Sequence, residues 1–460
     1  MKHTEPALQI DIRGATSAKL AKAHRLNPSD LQGIEPRIRA VLKRMAAERT
    51  QGKHRYRELP YRLVECRTIQ ALAAEYRPQV ENLVVLGIGG SALGNIALQT
   101  ALNSPFYNVQ PRERRGGPRL FVIDNVDATY VGDLLDLLDD ELPNTLFNVI
   151  SKSGETAETS SQFLIMRELL RKRLGPLGAR RNILVTTDAS HGSMRAIVDR
   201  EGYRSLIVPD GVGGRFSVLS PVGLFSAAMC GIDIEQLLAG AAAMDRRLDA
   251  PRLAANPAAT IAAVKYLYTQ RGKPLHVMMP YSQQLRDMAD WYRQLWAESL
   301  GKRYDEQGRR EVFAGATPIK ALGATDQHSQ VQLYREGPND KLIVFLEVEE
   351  PARDVTIPHA FADVEAMRYL GGATVHGLLN AEKKATEQAL QVSQRPTMTI
   401  RFPRISAHAV GQFIYLYEVA TTIMGYLLGI DPYDQPAVEL GKKITFHLMG
   451  RRGYETRPTE

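Results

Sequence analysis

Leu83-Val84-Val85-Leu86-Gly87-Ile88-Gly89-Gly90-Ser91-Ala92-Leu93-Gly94 is the stretch on which the fold turns. Four consecutive apolar residues bounded by glycine read as a short strand buried on both faces. The glycines let the backbone turn tightly, and the helical pattern after them presents free N–H groups at its start. Outward from this point the same rhythm recurs. Segments 120–123, 146–150, 183–186 and 206–208 are strand-like, with polar, glycine-containing turns after them and longer amphipathic segments between. Near-continuous apolar strands alternating with helices indicate a parallel sheet covered on both faces.

The rhythm resumes at 275–279, 312–314, 342–346, 375–378 and 398–400, which predicts a second sheet of similar design. Residues 1–60 read as helices and loops without a strand. The Ala-rich stretch from Asp233 to Leu267 reads as a helical link, and the chain after Ser406 as helix through Leu428. The expected class is α/β, with two doubly wound parallel-sheet domains at 61–232 and 271–405. A helical segment precedes them at 1–60, a helical connection joins them at 233–270, and a helical segment closes the chain at 406–460. In such sheets ligands bind beyond the carboxyl ends of the strands.

At 460 residues the chain has ample core for two or three domains, and 44% hydrophobic with 24% charged residues is the balance of a soluble globular protein. Its 58 Lys and Arg outnumber 51 Asp and Glu, and the resulting formal charge of +7 suits an anionic substrate. The densest basic runs, 112–119 and 167–181, are interrupted by Glu, Gly and Pro. No zinc-finger spacing or basic zipper occurs, so nucleic acid is not an expected partner. Cys66 and Cys230 stand far apart without metal-ligand spacing, which argues against a disulfide framework and for a reducing compartment. Glu5 and Asp11 fall where a signal peptide would need an apolar run, and no segment reaches the ~18 uninterrupted apolar residues of a membrane span. The cytoplasm is the expected location, with no membrane partner.

Three strand ends carry loops able to hold an anion. Gly87, Gly89 and Ala92 satisfy the loose dinucleotide fingerprint G-x-G-x-x-A, and Asp124 ends the next strand, so a nicotinamide-binding reading is open. After Asn148-Val149-Ile150 comes Ser151-Lys152-Ser153-Gly154-Glu155-Thr156, where hydroxyls, backbone N–H groups and one Lys suit a phosphate monoester. A helix cap needs only one of those hydroxyls, and Glu155 must point away from any bound phosphate. This second loop weakens the dinucleotide reading. In the third, Asp210-Gly211-Val212-Gly213-Gly214-Arg215-Phe216-Ser217, the backbone around Gly214 and the Arg215 guanidinium converge on one oxygen. That arrangement stabilises a developing oxyanion, and a turn with an exposed Arg is the plainer alternative.

Near the middle, Gln294-Leu295-Trp296-Ala297-Glu298-Ser299-Leu300-Gly301-Lys302 sets a carboxylate one turn after an amide on one helix face. Gly301 reads as the stop, which puts Glu298 in the last turn, with Met288, Trp291, Leu295 and Trp296 as the buried side. Such a carboxylate can act as a general base, because partial burial raises a Glu pKa toward the working pH. Taken alone, a helical Glu is an ordinary surface residue. The small polar loop 323–330 carries His328, and 433–443 sets Gln435 and Lys442 about two helical turns apart. Each of these also has an ordinary structural reading.

Taken together and in order, these segments closely resemble the glucose-6-phosphate isomerase (phosphoglucose isomerase) family over about residues 60–445, in its shorter bacterial form. The strongest parts are 210–223 (DGVGGRFSVLSPVG) and 433–442 (YDQPAVELGK), which are similar to the two signature segments of that family. The resemblance implies two sugar-isomerase (SIS) domains, no cofactor, and a place in glycolysis and gluconeogenesis. It implies that Ser91, Ser151, Ser153 and Thr156 hold a sugar phosphate, with Lys152 beside them. Glu298 would be the base that moves a proton between C1 and C2 through a cis-enediol, and Arg215 would stabilise the enediolate. Gln294 and Gln435 would position the substrate, and His328 and Lys442 would open and close the sugar ring. In the family the residue matching His328 enters from the neighbouring subunit, so a homodimer is implied.

A carboxylate that removes a proton and returns it to the adjacent carbon suits an aldose–ketose shift. No His/Glu/Asp cluster with metal-ligand spacing is evident in the sequence, so this proton route is expected rather than a metal-held hydride shift. Two departures stand out: Ala437 replaces a glycine usual in the last signature, after Pro436, and Glu155 puts negative charge in the phosphate loop. Two neighbouring functions remain open. A dual phosphoglucose/phosphomannose isomerase would use the same base and loops. A non-catalytic sugar-phosphate sensor would need the loops but not Glu298, His328 or Lys442.

Overall fold

The quoted stretch folds as its pattern requires. Asn82–Leu86 is a strand with every residue buried, Gly89–Ser91 a single 3-10 turn, and Leu93–Leu102 a helix. The computed structural model describes residues 6–459; Glu5, which entered the reading of the N-terminus, lies outside them. The strands of the first half are β1 (Gln9–Asp11), β2 (Asn82–Leu86), β3 (Arg119–Ile123), β4 (Thr145–Ile150), β5 (Ile183–Thr187) and β6 (Arg204–Ile207). Those of the second are β7 (Leu275–Pro280), β8 (Lys302–Tyr304), β9 (Glu311–Ala314), β10 (Thr317–Lys320), β11 (Lys341–Val348) and β12 (Thr397–Phe402).

One sheet runs β3-β2-β4-β5-β6, all parallel. Its chain order reverses between β2 and β4, so the loops after these two strands flank the crevice where such sheets bind ligands. The other runs β1-β12-β11-β7-β10 and repeats the design: β7 lies inside the sheet, with β10 on one side and β11 and β12 on the other.

Three segments differ from the sequence reading. Residues 312–314 lie in β9, which pairs antiparallel with β8 in a separate two-stranded ribbon. The place beside β7 goes instead to β10, whose Pro318 obscures its strand character and is tolerated because β10 is an edge strand. Residues 375–378 form the first turn of the helix Val375–Val392, capped by the Thr374 hydroxyl accepting the Gly377 N–H. A short apolar run is the pattern least able to separate strand from helix. Third, β1 falls in the stretch read as strand-free; it adds antiparallel to β12, with Ile10 opposite Ile400.

The middle of the molecule is helical. Ile234–Leu248 and Pro257–Gln270 supply the link read in the sequence, and both pack on Ala407–Leu428. That last helix is buried on nearly every side, as an all-round apolar helix must be. Two glycines allow its close crossing. A Cβ at Gly240 would overlap the His408 carbonyl, and one at Gly411 would overlap the Leu237 carbonyl. Among the described residues no helix is long and apolar enough to cross a membrane. Cys66 and Cys230 are buried free thiols.

Candidate active site

The loops after β2 and β4 open onto a cavity of about 750 Å³. Ser91 stands at the end of the 3-10 turn after β2, and Ser151, Lys152, Ser153 and Thr156 follow β4; all five line the cavity. The Ser151 hydroxyl accepts the Gly154 N–H at 3.0 Å, and the Ser153 hydroxyl accepts that of Glu155 at 3.1 Å. Thr156 precedes the helix Ala157–Arg181 but its side chain makes no cap bond, so that hydroxyl is not consumed by the helix end. The N-terminus of this helix and that of Leu93–Leu102 follow directly on the two loops, which favours an anion between them.

Glu155 turns out of this cradle. Its carboxylate pairs with Arg451 at 2.6 Å and accepts the Ser193 hydroxyl at 3.1 Å. Arg451 and Ser193 together hold it below the usual carboxylate range. The charge that looked awkward in a phosphate loop thus anchors the C-terminal segment.

The third glycine loop reaches the first by direct backbone contact. A Cβ at Gly90 would collide with the carbonyl carbon and oxygen of Gly214 and the amide of Arg215. This closeness lets Gly214 and Arg215 face the same cavity as Ser91. Arg215 itself is not the exposed turn residue of the plainer reading: only 4% of it is accessible. Its Nε donates to Ser299 Oγ at 2.7 Å, Nη1 to Gln435 Oε1 at 2.8 Å, and Nη2 to the carbonyls of Pro432 at 2.7 Å and Asp434 at 3.1 Å. Nη1 also lies 3.2 Å from Glu298 Oε1. Burial pushes the guanidinium down from the ordinary arginine value, and Glu298, Asp434 and Asp431 oppose it.

Glu298 sits in the last turn of the helix Arg286–Leu300, which follows β7. Met288, Trp291, Leu295 and Trp296 form the helix's buried side, leaving Gln294 and Glu298 toward the cavity. Gln294 Nε2 donates to Glu298 Oε2 at 3.0 Å, so one carboxylate oxygen meets an amide and the other the guanidinium. Gly301 ends the helix with φ −75°, not in the left-handed region, and a Cβ there would press on the Ala297 carbonyl at 3.0 Å.

Gln435 and Lys442 complete the cavity wall from the C-terminal side. Lys442 rides on the helix Ala437–Leu448 and pairs with Glu439 at 2.7 Å on the surface. Ala437 is the first residue of that helix, a conformation any L-residue adopts, so a glycine is not required there. His328 is different. It lies exposed after the turn Thr325–Gln327 that follows β10 and does not line the cavity within its own chain. Sequence reasoning passed over Ser299, Lys302 and Tyr433, although each neighbours a residue it singled out.

The matching family model is described as phosphoglucose isomerase and covers residues 68–453. The chain belongs to the phosphoglucose isomerase family. Among curated relatives, a glucose-6-phosphate isomerase of Carboxydothermus hydrogenoformans is 46% identical over 455 residues, covering 99% of this chain and 97% of that one. Another, of Rubrobacter xylanophilus, is 45% identical over 431 residues, covering 93% and 96% respectively. A solved structure of a hypothetical protein from Thermus thermophilus superposes with a TM-score of 0.85 at 37% identity, covering 96% of this chain and 99% of that one. The phosphoglucose isomerase fold also extends further: a glucose-6-phosphate isomerase structure from Chlamydia trachomatis gives a TM-score of 0.73 at 24% identity, covering 84% of this chain and 73% of that one.

Proposed function

We propose that this chain interconverts glucose 6-phosphate and fructose 6-phosphate by proton transfer through a cis-enediol, in the cytoplasm, as a step of glycolysis and gluconeogenesis. The observation that carries the proposal is the placement of Glu298 Oε1 3.2 Å from Arg215 Nη1 in the same cavity as the hydroxyl loop. Ser91, Ser151, Ser153, Thr156 and Lys152 hold the phosphate, aided by the helix N-termini. Glu298 takes the C2 proton of the open-chain aldose; that electron pair forms the C1–C2 double bond and the carbonyl pair moves onto O1. O1 takes up the proton that O2 loses, the carbonyl reforms at C2, and Glu298 returns its proton to C1. Arg215 and the Gly214 backbone face the charge that develops on the enediolate oxygens, where a fixed guanidinium is worth most. Gln294 and Gln435 orient the sugar, and Lys442 and His328 open and close its ring.

His328 serves the cavity of a second copy, so the working form is a homodimer. Two features support this reading: His328 is exposed, and the stretch between β11 and the helix Val375–Val392 exposes Val355, Phe361, Met367 and Tyr369. Large apolar side chains grouped on a surface mark an interface. The two sheets serve as cores of sugar-isomerase domains at 61–232 and 271–405.

The test is fructose 6-phosphate turnover with Glu298→Gln as the control. The variant should lose about a thousandfold in kcat while its circular dichroism and Tm stay unchanged. Near-normal turnover by a folded variant would overturn the assignment of the base.

A further inference from the structure

Lys302 follows the stop glycine of the helix Arg286–Leu300, and its side chain is only 5% exposed. Its Nζ donates to the carbonyls of Glu298 and Ser299, each at 2.9 Å. These belong to the last-turn carbonyls that a helix leaves without internal donors. The same ammonium lies 3.6 Å from Asp434 Oδ1, in the segment whose carbonyls and Gln435 amide oxygen bind Arg215. One buried cation therefore ties the end of the helix carrying Glu298 to the strap that fixes the guanidinium.

The electrostatics give that tie a chemical consequence. A helix C-terminus carries about half a negative charge, which repels an anion held in its last turn. Asp431 and Asp434 add to the negative field here. Arg215 answers part of it, with each of its N–H groups already engaged, and Lys302 is the other buried cation at this helix end. Burial and Arg215 push the Lys302 ammonium below the ordinary lysine value, and Asp434 and Asp431 act against them. Other charged or titratable groups around Glu298 line the two adjoining cavities: Lys152, Asp188, His191, Tyr433 and Lys442 on the substrate side, and Arg303, Tyr304, Asp305, Glu306, Glu439 and Lys443 on the other. Solvent and salt screen those groups more than they screen a buried lysine.

We propose that Lys302 is a positioning residue for the isomerase reaction, holding the last turn of the Glu298 helix and favouring the ionised carboxylate that takes the proton. The inference rests on the reading of Glu298 as the base. Its role goes beyond packing, because the charge and the donors can be removed separately.

The experiment compares Lys302→Met, Lys302→Gln and Lys302→Arg with Glu298→Gln, following fructose 6-phosphate turnover against pH and Tm for each. Losing a nearby cation raises a carboxylate pKa, so the acid limb of kcat/KM moves to higher pH. For Lys302→Met the expected result is a fall in kcat of about tenfold, KM within about threefold, and a limb raised by about half a pH unit. Lys302→Gln keeps donors without charge and should recover Tm but not the limb. Lys302→Arg should return the limb to its original position. The proposal is overturned if Lys302→Met or Lys302→Gln keeps the original kcat and limb, or if Lys302→Arg shifts the limb as far as Lys302→Gln does. The second comparison holds even where Lys302→Met fails to fold. Should Glu298→Gln retain turnover, the base assignment itself falls; an inactive Glu298→Gln beside an unaltered Lys302 series overturns only the role of Lys302.

Discussion

Each of the five N–H groups of Arg215 has an acceptor within the protein, and this fixes where its charge stands before any substrate arrives. A lysine would retain the charge but not the planar fork. Arg215→Lys should therefore lower kcat by about 100-fold or more with a smaller change in the KM for fructose 6-phosphate, read from steady-state kinetics. Glu298, Arg215 and Gln435 were legible because each sits in a worded segment whose residue types suit one chemistry. Ser299 and Lys302 were not, because Ser and Lys are ordinary at a helix end. Their meaning comes from the 431–435 strap, far away in sequence, folding onto that end. Glu155 is the same lesson reversed: its partner, Arg451, stands 296 residues away.

At the scale of elements, the strands read best were those whose every residue is buried, such as β2, β4 and β5. Those missed, β1, β8 and β10, are short or carry a proline, and their pattern comes from edge or ribbon positions rather than from burial on two faces. The strap 431–435 depends on a buried polar contact. Tyr433 hydrogen-bonds His54 Nδ1, and His54 Nε2 lies 3.0 Å from Glu48 Oε2. Burial pushes His54 down to about 4, with Glu48 pulling it upward and Arg57 downward. Burial raises Glu48, but hydrogen bonds from Tyr426, Arg44 and Lys53 outweigh it and hold the carboxyl at about 2. A histidine with a depressed value binds its proton more readily in the unfolded chain. Its contribution is therefore complete above pH 6.5 and lost as the pH falls toward 4. The Glu48 contribution is present above about 4.5 and lost toward 2. His276, fully buried and also pushed well down, adds to the His54 slope. The His54 contribution alone falls by about 2 kcal/mol from pH 7 to 5, so His54→Asn should be less sensitive than the parent protein to acidification by about that amount, as thermal melts across the range would record.

At the scale of the whole molecule, the fold class was legible because two series of apolar runs repeat one design, with β2 and β7 each paired to parallel strands on both sides. The role proposed for His328 comes from resemblance alone, since nothing in a single chain says which copy a surface loop serves. A mixing experiment reads it directly. Glu298→Gln and His328→Asn variants, each inactive alone, should regain about a quarter of full activity after reassortment of subunits, because half the dimers then hold one intact site. Recovery absent after verified exchange would place His328 with its own chain's site or outside the reaction.

The two ends of the chain close the molecule at opposite places: β1 pairs with β12 of the second sheet, and Arg451 clasps Glu155 of the first. For a chain made from its N-terminus onward, this sets a schedule. The hydroxyl loop after β4 is synthesised early, yet Arg215 lacks its Pro432, Asp434 and Gln435 acceptors until the strap leaves the ribosome. A growing chain can fold the hydroxyl loop while the Arg215 guanidinium still waits for the acceptors that pin it, so early and late parts of the cavity take shape at different times.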